Sequence, residues 1–296
     1  MSIAKENIGT CALCREVKEL QESHIIPKFI NLWQKKTSAT GYLRHSRAVN
    51  QRVQDGYKDY LLCFECEQLF GRYEKKYAEK VFYPYQNHDN KDVEYGEWLL
   101  KFSTSVTWRI LTLMKKQKGH IGLSLFHSQK LSFAEKTWRQ FLLGERNDIG
   151  MTEQHMILMG GIESTGSIET APNINNYLMT TTDYTFGSTK KEGFIYLNMC
   201  GIVLLGFTSR QNPWDGSRID MQGTLKIQGK KYFIPENFPG WINDRAERTD
   251  IMNKSMSPKQ KQIVEDDFFS DIDRLLASKQ FEAIQYDNDL KKKKGA

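Results

Sequence analysis

The segments Cys11-Ala12-Leu13-Cys14, Ser23-His24-Ile25-Ile26-Pro27 and Cys63-Phe64-Glu65-Cys66 decide how the first part of this chain is read. A two-residue spacer lets both sulfurs of a pair turn toward one ion, so two such pairs can complete a tetrahedral thiolate shell around Zn²⁺. The second pair stands at the start of a run with helical periodicity, which favours a structural metal over a redox couple. His24, between the pairs, is then held in space by the metal scaffold rather than by a hydrophobic core.

Outward from these segments, Glu22 to Phe29 reads as a strand or hairpin in which Pro27 limits continuation as a central strand. A connection centred on Thr37-Ser38-Ala39-Thr40-Gly41 leads to Tyr60-Leu61-Leu62-Cys63. After Cys66 the pattern is helical, with Leu69, Tyr73, Tyr77 and Val81 on one face and Glu74, Lys75 and Lys76 on the wet side, and Pro84 is expected to end it. Tyr95 to Gln117 predicts a helix on the stripe Trp98, Phe102, Val106, Ile110 and Leu113, with Lys115 and Lys116 suiting its negative pole. Ser132 is the expected N-cap of another helix, reaching Gly144. At helical spacing, Trp98, Trp108 and Trp138 read as core rather than as a base-stacking set.

From Gln154 the character turns to β. His155 to Met159, Tyr177 to Thr182, Gly193 to Phe207, and Gly223 to Gln228 joined through Gly229 to Tyr232-Phe233-Ile234 read as strands of a separate, largely antiparallel sheet. Ser257-Pro258 then opens a helical tail with the apolar face Ile263, Phe268, Ile272, Leu275 and Leu276, and Lys291 to Lys294 reads as a mobile basic end. The expected fold class is α+β. It comprises a zinc-binding unit over 1–90, a helical connector over 91–150, a β-rich domain over 151–250 and a C-terminal helix with basic tail over 251–296.

Composition narrows the function classes. With 39% hydrophobic residues in 296, the chain can bury a core. The start has neither a basic n-region nor an apolar stretch of signal length, and the five cysteines are an odd number, which points to a reducing compartment and a cytoplasmic location. The longest apolar run, Phe194 to Phe207, contains Asn198 and is shorter than the about 20 residues that span a bilayer, so no membrane association is expected. Net charge is only +6, but Lys35, Lys36, Arg44, Arg47, Arg52 and Lys58 face a lone Asp55 between Asn31 and Lys58. That stretch is a candidate phosphate-contacting surface, against the plain alternative of a solvated loop. Cys200, in an apolar run, reads as a buried small hydrophobe. His45, His88, His120, His127 and His155 show no spacing of a ligand set, and no Gly-rich phosphate loop or Gly-x-Ser-x-Gly elbow is present.

The order Cys-x2-Cys, then His-Ile-Ile-Pro, then Leu-Leu-Cys-x2-Cys resembles the HNH endonucleases, which belong to the treble-clef, ββα-metal (His-Me finger) group. The resemblance covers roughly the first eighty residues. It implies that His24 is the general base and that Cys11, Cys14, Cys63 and Cys66 hold a structural zinc. It also implies a catalytic Mg²⁺ or Mn²⁺ held by residues next to the histidine and just after the last cysteine, here Ser23 and Glu67. Glu67 is an oxygen donor suited to that ion, whereas Ser23 is a poor ligand. Lys58, near the family's middle Asn position, is no ligand at all. Asp55 and Asn50 are alternative donors from the connecting segment, and Glu74, two turns beyond Glu67, is either an orienting group or a surface partner of a lysine. The stretches Ser-His-Ile-Ile-Pro-Lys-Phe and Cys-Glu-x2-Phe-x2-Tyr-Glu are also similar to bacterial HNH-like proteins of mobile elements and phage defence.

The leading expectation is therefore a metal-dependent endonuclease acting on DNA more than RNA. His24 and Glu67 would be catalytic, and Lys35, Arg44, Arg47 and Arg52 would neutralise backbone phosphates. Two alternatives stand beside it: a non-catalytic zinc-finger module that binds nucleic acid or protein, and an RNA-directed nuclease. The β-rich region carries no motif with readable chemistry and is a candidate for a protein partner or homo-oligomer contact.

Overall fold

The computed structural model describes residues 7–45, 48–117, 122–164 and 168–295. Its elements in chain order are β1 (Ile8–Thr10), β2 (Val17–His24), α1 (Lys28–Thr37), β3 (Leu43–His45), β4 (Ala48–Val53), β5 (Lys58–Cys63) and α2 (Phe64–Tyr77). A π-helical turn (Ala78–Phe82), α3 (Tyr83–Gln86), β6 (Val93–Tyr95), α4 (Glu97–Lys116) and α5 (Leu125–Leu143) follow. Then come β7 (Glu153–Leu158), α6 (Ile174–Thr180), β8 (Thr182–Ser188), β9 (Gly193–Met199), β10 (Ile202–Ser209) and β11 (Gly223–Leu225). The described chain closes with α7 (Asn237–Lys254), α8 (Pro258–Ser270), α9 (Ile272–Leu276) and α10 (Lys279–Gly295). The fold is thus a mixture of helices and antiparallel sheets with a cysteine cluster near its start.

The run from Phe194 to Phe207 folds back on itself as β9 and β10, through a turn in which Cys200 (φ 52°) and Gly201 (φ 92°) are both left-handed. Two positive φ values in a two-residue loop match the right-handed twist of the strands it joins. The sheet order is β7-β10-β9-β8, antiparallel throughout. Alternation assigns its two faces. Ile195, Leu197, Met199, Ile202 and Leu204 join a core shared with α2, α4 and α5, while Phe194, Tyr196, Val203, Leu205 and Phe207 face a second core with α6 and α7. A run apolar at every position is what a doubly covered sheet requires. Gly206 lets α4 approach, because a Cβ there would lie 2.9 Å from the Thr107 Cβ and 3.0 Å from the Trp138 ring. Trp108 and Trp138 are fully buried, in keeping with their helical spacing. Among the described residues no helix is long and apolar enough to cross a membrane.

Several elements depart from the local reading, each for a physical reason. The strand expected over Glu22 to Phe29 stops at His24, and Phe29 lies in α1, whose ten residues replace much of the expected connection. Pro84 does not end the helix. The path widens into the π turn and stays helical through Pro84, which lies in α3. Helix α5 starts at Leu125 rather than near Ser132, with Ser124 Oγ accepting from His127 N (3.3 Å), and its extra turns carry the exposed Leu125 and Phe126, which hide the periodicity.

Tyr177 to Thr182, β-prone by composition, is mostly helix α6. The Asp287 carboxylate on α10 accepts from the free N–H groups of Asn175 (2.8 Å) and Asn176 (3.1 Å), so a residue more than a hundred positions away caps that helix. Strand β11 is only three residues long and pairs with β6 rather than turning back at Gly229. Ser257 caps α8 as expected, yet α8 and α9 bury none of their residues, so the apolar face read there is not a core face. Lys291 to Lys294 continue α10 as helix.

Leu204 is fully buried on the α4–α5 face of the sheet. Leu204→Ala is expected to cost about 2–5 kcal/mol, read as a lower denaturant midpoint at unchanged m-value.

Candidate functional site

Strands β2 and β5 pair antiparallel, and the two ends of this pair carry the chemistry. At one end Leu20 faces Cys63, and at the other His24 faces Lys58. Four residues of strand separate these ends, roughly 13 Å. Between them the register shifts by one at Leu61, whose carbonyl accepts from Ala12 N (2.9 Å) and so attaches the first cysteine loop to the bulge.

At the first end, Cys11 and Cys14 sit on a tight turn closed by Arg15 N to Cys11 O and Cys11 N to Glu16 O, both 2.9 Å, with Arg15 left-handed (φ 67°). The Arg15 guanidinium is tied to Glu135 of α5 at 2.7 Å. Cys63 is the residue before α2, and Cys66 lies in its first turn. All four sulfurs fall within 4.8 Å of one another, and Cys14 Sγ to Cys63 Sγ is 3.8 Å. A tetrahedron with Zn–S bonds of about 2.3 Å has edges of about 3.8 Å, so the cluster fits a metal such as zinc. A hydrogen bond from Cys66 draws the Cys11 thiol down to about 4, while burial pushes Cys63 up to about 11 and the contact with Cys11 raises Cys66. Without a positive charge among them the four cannot all be thiolates.

At the other end, His24 Nε2 lies 2.9 Å from Asp55 Oδ1. The second oxygen of Asp55 meets Lys58 Nζ at 2.8 Å, and Lys58 also reaches Glu22 Oε2 at 3.3 Å. Glu22 and His24 are two residues apart on β2, hence on one face, with Lys58 directly across. Partial burial would push the Asp55 carboxyl up. Hydrogen bonds from Lys58, His24 and the Gly56 N–H (2.9 Å) outweigh it and hold the group well below the usual carboxylate range. The Asp55–Gly56 turn is backed by buried Asn31 of α1, so close that a Cβ on Gly56 would come within 2.2 Å of Asn31 Nδ2. Behind the strand, fully buried Arg109 of α4 donates from Nη1 to the His24 carbonyl (2.7 Å) and from Nη2 to Glu74 of α2.

Glu67 belongs to the cysteine end of α2. Its Oε1 is buried without a hydrogen-bond partner, and the carboxylate that meets the His24 ring is Asp55. The carboxylate of α2 linked to the histidine strand is Glu74, through Arg109 rather than through a lysine. Ser23 is buried with its Oγ donating to Gln21 O of its own strand (3.3 Å), and Lys58 brings a cation where a ligand was expected. Among the described residues the four cysteines form the one group of three or more His, Cys, Asp or Glu able to share an ion. Of the side chains expected to hold a catalytic Mg²⁺ or Mn²⁺, Ser23 and Lys58 are thus engaged within the protein, and Glu67 lies at the cysteine end of α2.

No protein-family model, curated protein or solved structure matches this chain.

The basic stretch is not a free loop. Lys35 Nζ donates to Gln54 Oε1 (2.7 Å), beside the Asp55 turn. Arg52 stacks over Tyr42 (4.4 Å) and pairs with Asp267 of α8, and Arg44 reaches Val49 O (2.9 Å) and Gln260 Oε1 of α8 (3.3 Å). Asn50 accepts from Ser257 N (2.8 Å), away from the histidine. Arg274 of α9 caps the end of α1 through Ser38 O (3.0 Å) and Lys35 O (3.1 Å). Arg47 and His120 lie outside the described residues. Elsewhere, His155 bridges Ser217 Oγ (2.8 Å) and Glu153 (3.0 Å), but His155 and Ser217 are both sealed in the core, so the set serves packing.

Arg109, Asp55 and Glu22 were missed or left open by sequence reasoning. An arginine beside the apolar stripe, in the middle of the helix read over Tyr95 to Gln117, was the available signal for the first. Cys66→Ser is expected to lower metal content from about one zinc per chain to none, measured by elemental analysis. Asp55 titrates below its unfolded value of about 3.9, so its contribution to stability is complete above that pH and fades as pH falls toward the folded value. In Asp55→Asn, urea midpoints at about pH 5 and about pH 2 should therefore differ less than in the unaltered protein.

Proposed function

We propose that this chain is an HNH-like endonuclease of the treble-clef, ββα-metal type. In this reading it hydrolyses DNA phosphodiester bonds with His24 as general base on a zinc-held scaffold. One observation carries it: the His24 ring is clamped through Nε2 by Asp55, its backbone is fastened by Arg109, and its Nδ1 has no hydrogen-bond partner among the described residues. Asp55, acceptor only, selects the tautomer with the proton on Nε2, which leaves the Nδ1 lone pair to accept another. Resemblance in the order of the cysteines and the His-Ile-Ile-Pro segment supports the same reading.

His24 Nδ1 takes a proton from water as the water oxygen bonds to phosphorus and the bond from phosphorus to the leaving sugar oxygen breaks. The Asp55 carboxylate stabilises the imidazolium that forms. Cys11, Cys14, Cys63 and Cys66 would hold a zinc ion, which would supply rigidity by joining the first loop to the start of α2. Lys35, beside the Asp55 turn, suits a backbone phosphate. Arg44 and Arg52 reach phosphate by exchanging Gln260 and Asp267 for it. A role in phage defence belongs to this reading and rests on the resemblance alone, while a cytoplasmic setting rests on the cysteine usage.

A second reading, a zinc-finger module that binds nucleic acid or protein without cleaving, is favoured by one observation. Ser23 and Lys58, at the family's ligand places, are both engaged within the protein.

Labelled duplex DNA, single-stranded DNA and RNA should be digested in parallel with the unaltered protein, His24→Ala and Asp55→Asn. Duplex DNA is expected to be cut, with losses of about 10²–10⁴-fold in both variants and unchanged zinc content. Full activity in His24→Ala would remove the base assignment. Cleavage of RNA alone would move the substrate to RNA, and binding without cleavage would leave the module.

A further inference from the structure

The resemblance calls for a divalent ion near His24, and the side chains put an ammonium there. Lys58 is the cross-strand neighbour of His24, and the two side chains grip opposite oxygens of one carboxylate, at 2.9 Å for His24 and 2.8 Å for Lys58. Glu22 holds Lys58 from the other side at 3.3 Å. An ammonium has three N–H donors, of which Asp55 and Glu22 take two. The third has no partner among the described residues, and the Lys58 side chain keeps 28% of its surface open to solvent. A metal ion approaching Asp55 or Glu22 would have to displace a cation that both already share. The contact with Asp55 also raises the Lys58 pKa, so the group stays charged in neutral solution.

We propose that Lys58 takes the place of the divalent ion as a catalytic residue, its third N–H binding a non-bridging oxygen of the scissile phosphate, so that cleavage requires no Mg²⁺ or Mn²⁺. This rests on the reading of His24 as base and goes beyond it by replacing the electrophile. Water loses a proton to His24 Nδ1 and bonds to phosphorus. The electron pair of the breaking bond goes to the leaving sugar oxygen, which is protonated by solvent, and the imidazolium returns its proton to solvent. The net reaction consumes one water and needs no further reactant. Lys58 keeps its proton throughout, offsetting the charge that builds on the phosphate oxygens. Because Asp55 grips both groups, the base and the cation are held at a fixed separation on one side of the phosphate.

The test uses the full chain with its zinc content verified, in buffer stripped of other divalent ions, on duplex DNA. Cleavage should proceed there and change by less than about twofold when Mg²⁺ or Mn²⁺ is added. Lys58→Met, which keeps the stem and removes the charge, should lose about 10²–10³-fold in kcat, as loss of one preorganised donor does elsewhere. Lys58→Arg should recover part of that loss. A phosphorothioate at a non-bridging position should slow cutting without rescue by Mn²⁺, a signature that a merely structural lysine would not produce. Cleavage that appears only with Mg²⁺ or Mn²⁺, or full activity in a folded Lys58→Met, would overturn the proposal while leaving His24 as base. Failure of the unaltered protein to cut under any of these conditions would remove the parent reading and this one together.

Discussion

Arg109 is the constraint on which the rest of the arrangement depends. A guanidinium with 2% of its side chain exposed, in the buried middle of a helix, is tolerable only if its charge is paired. Glu74 supplies the charge and the His24 carbonyl the acceptor, so α2, α4 and the end of β2 are fixed to a single planar group. The same helix also packs on the large sheet through Thr107 and the core that includes Leu197 and Leu204. The histidine strand and the sheet therefore share one helix as a common support.

The β2–β5 pair works as a short beam loaded at both ends. Four sulfurs crowd one end and cannot all ionise without a cation, while three charged groups and an imidazole balance one another at the other. The bulge at Leu61 lets both ends coexist, since it carries the cysteine loop while keeping His24 opposite Lys58. Helices α8 and α9 lie against the basic segment and the end of α1. They bury nothing of their own and are held by polar contacts to the basic segment, so the cations nearest the site are partly occupied from within the chain. Contacts of that kind are cheap to exchange, because partly exposed ion pairs contribute little net stability.

Much of the architecture was legible where the signal is local. The strands within Phe194 to Phe207 follow from a continuous apolar run too short to span a bilayer, and the stripe of α4 from helical periodicity, both of which the chain carries whatever it packs against. The Ser257 cap is likewise a short-range hydrogen bond. Helix α6 was illegible because its cap is Asp287, brought from α10 by folding, and the extra turns of α5 were illegible because Leu125 and Phe126 face solvent. At the site, the cysteine pairs and His24 stood out through spacing, while Glu67 was placed beside the histidine by its nearness to Cys66. Two helical turns along α2 separate the cysteine end from Glu74, the residue that connects to the histidine strand.

The sequence by itself determined which residues can bind a soft metal, which helices and strands have an apolar side, and that a histidine lies between the two cysteine pairs. Only the tertiary structure decided that Asp55 rather than Glu67 meets the imidazole, that Lys58 shares the same carboxylate, and that Asp267 of α8 pairs with Arg52. The reason is physical. Spacing records neighbours within a turn or a strand, whereas a charge is satisfied by whichever opposite charge the packed chain brings within about 3 Å, however far away it lies in sequence.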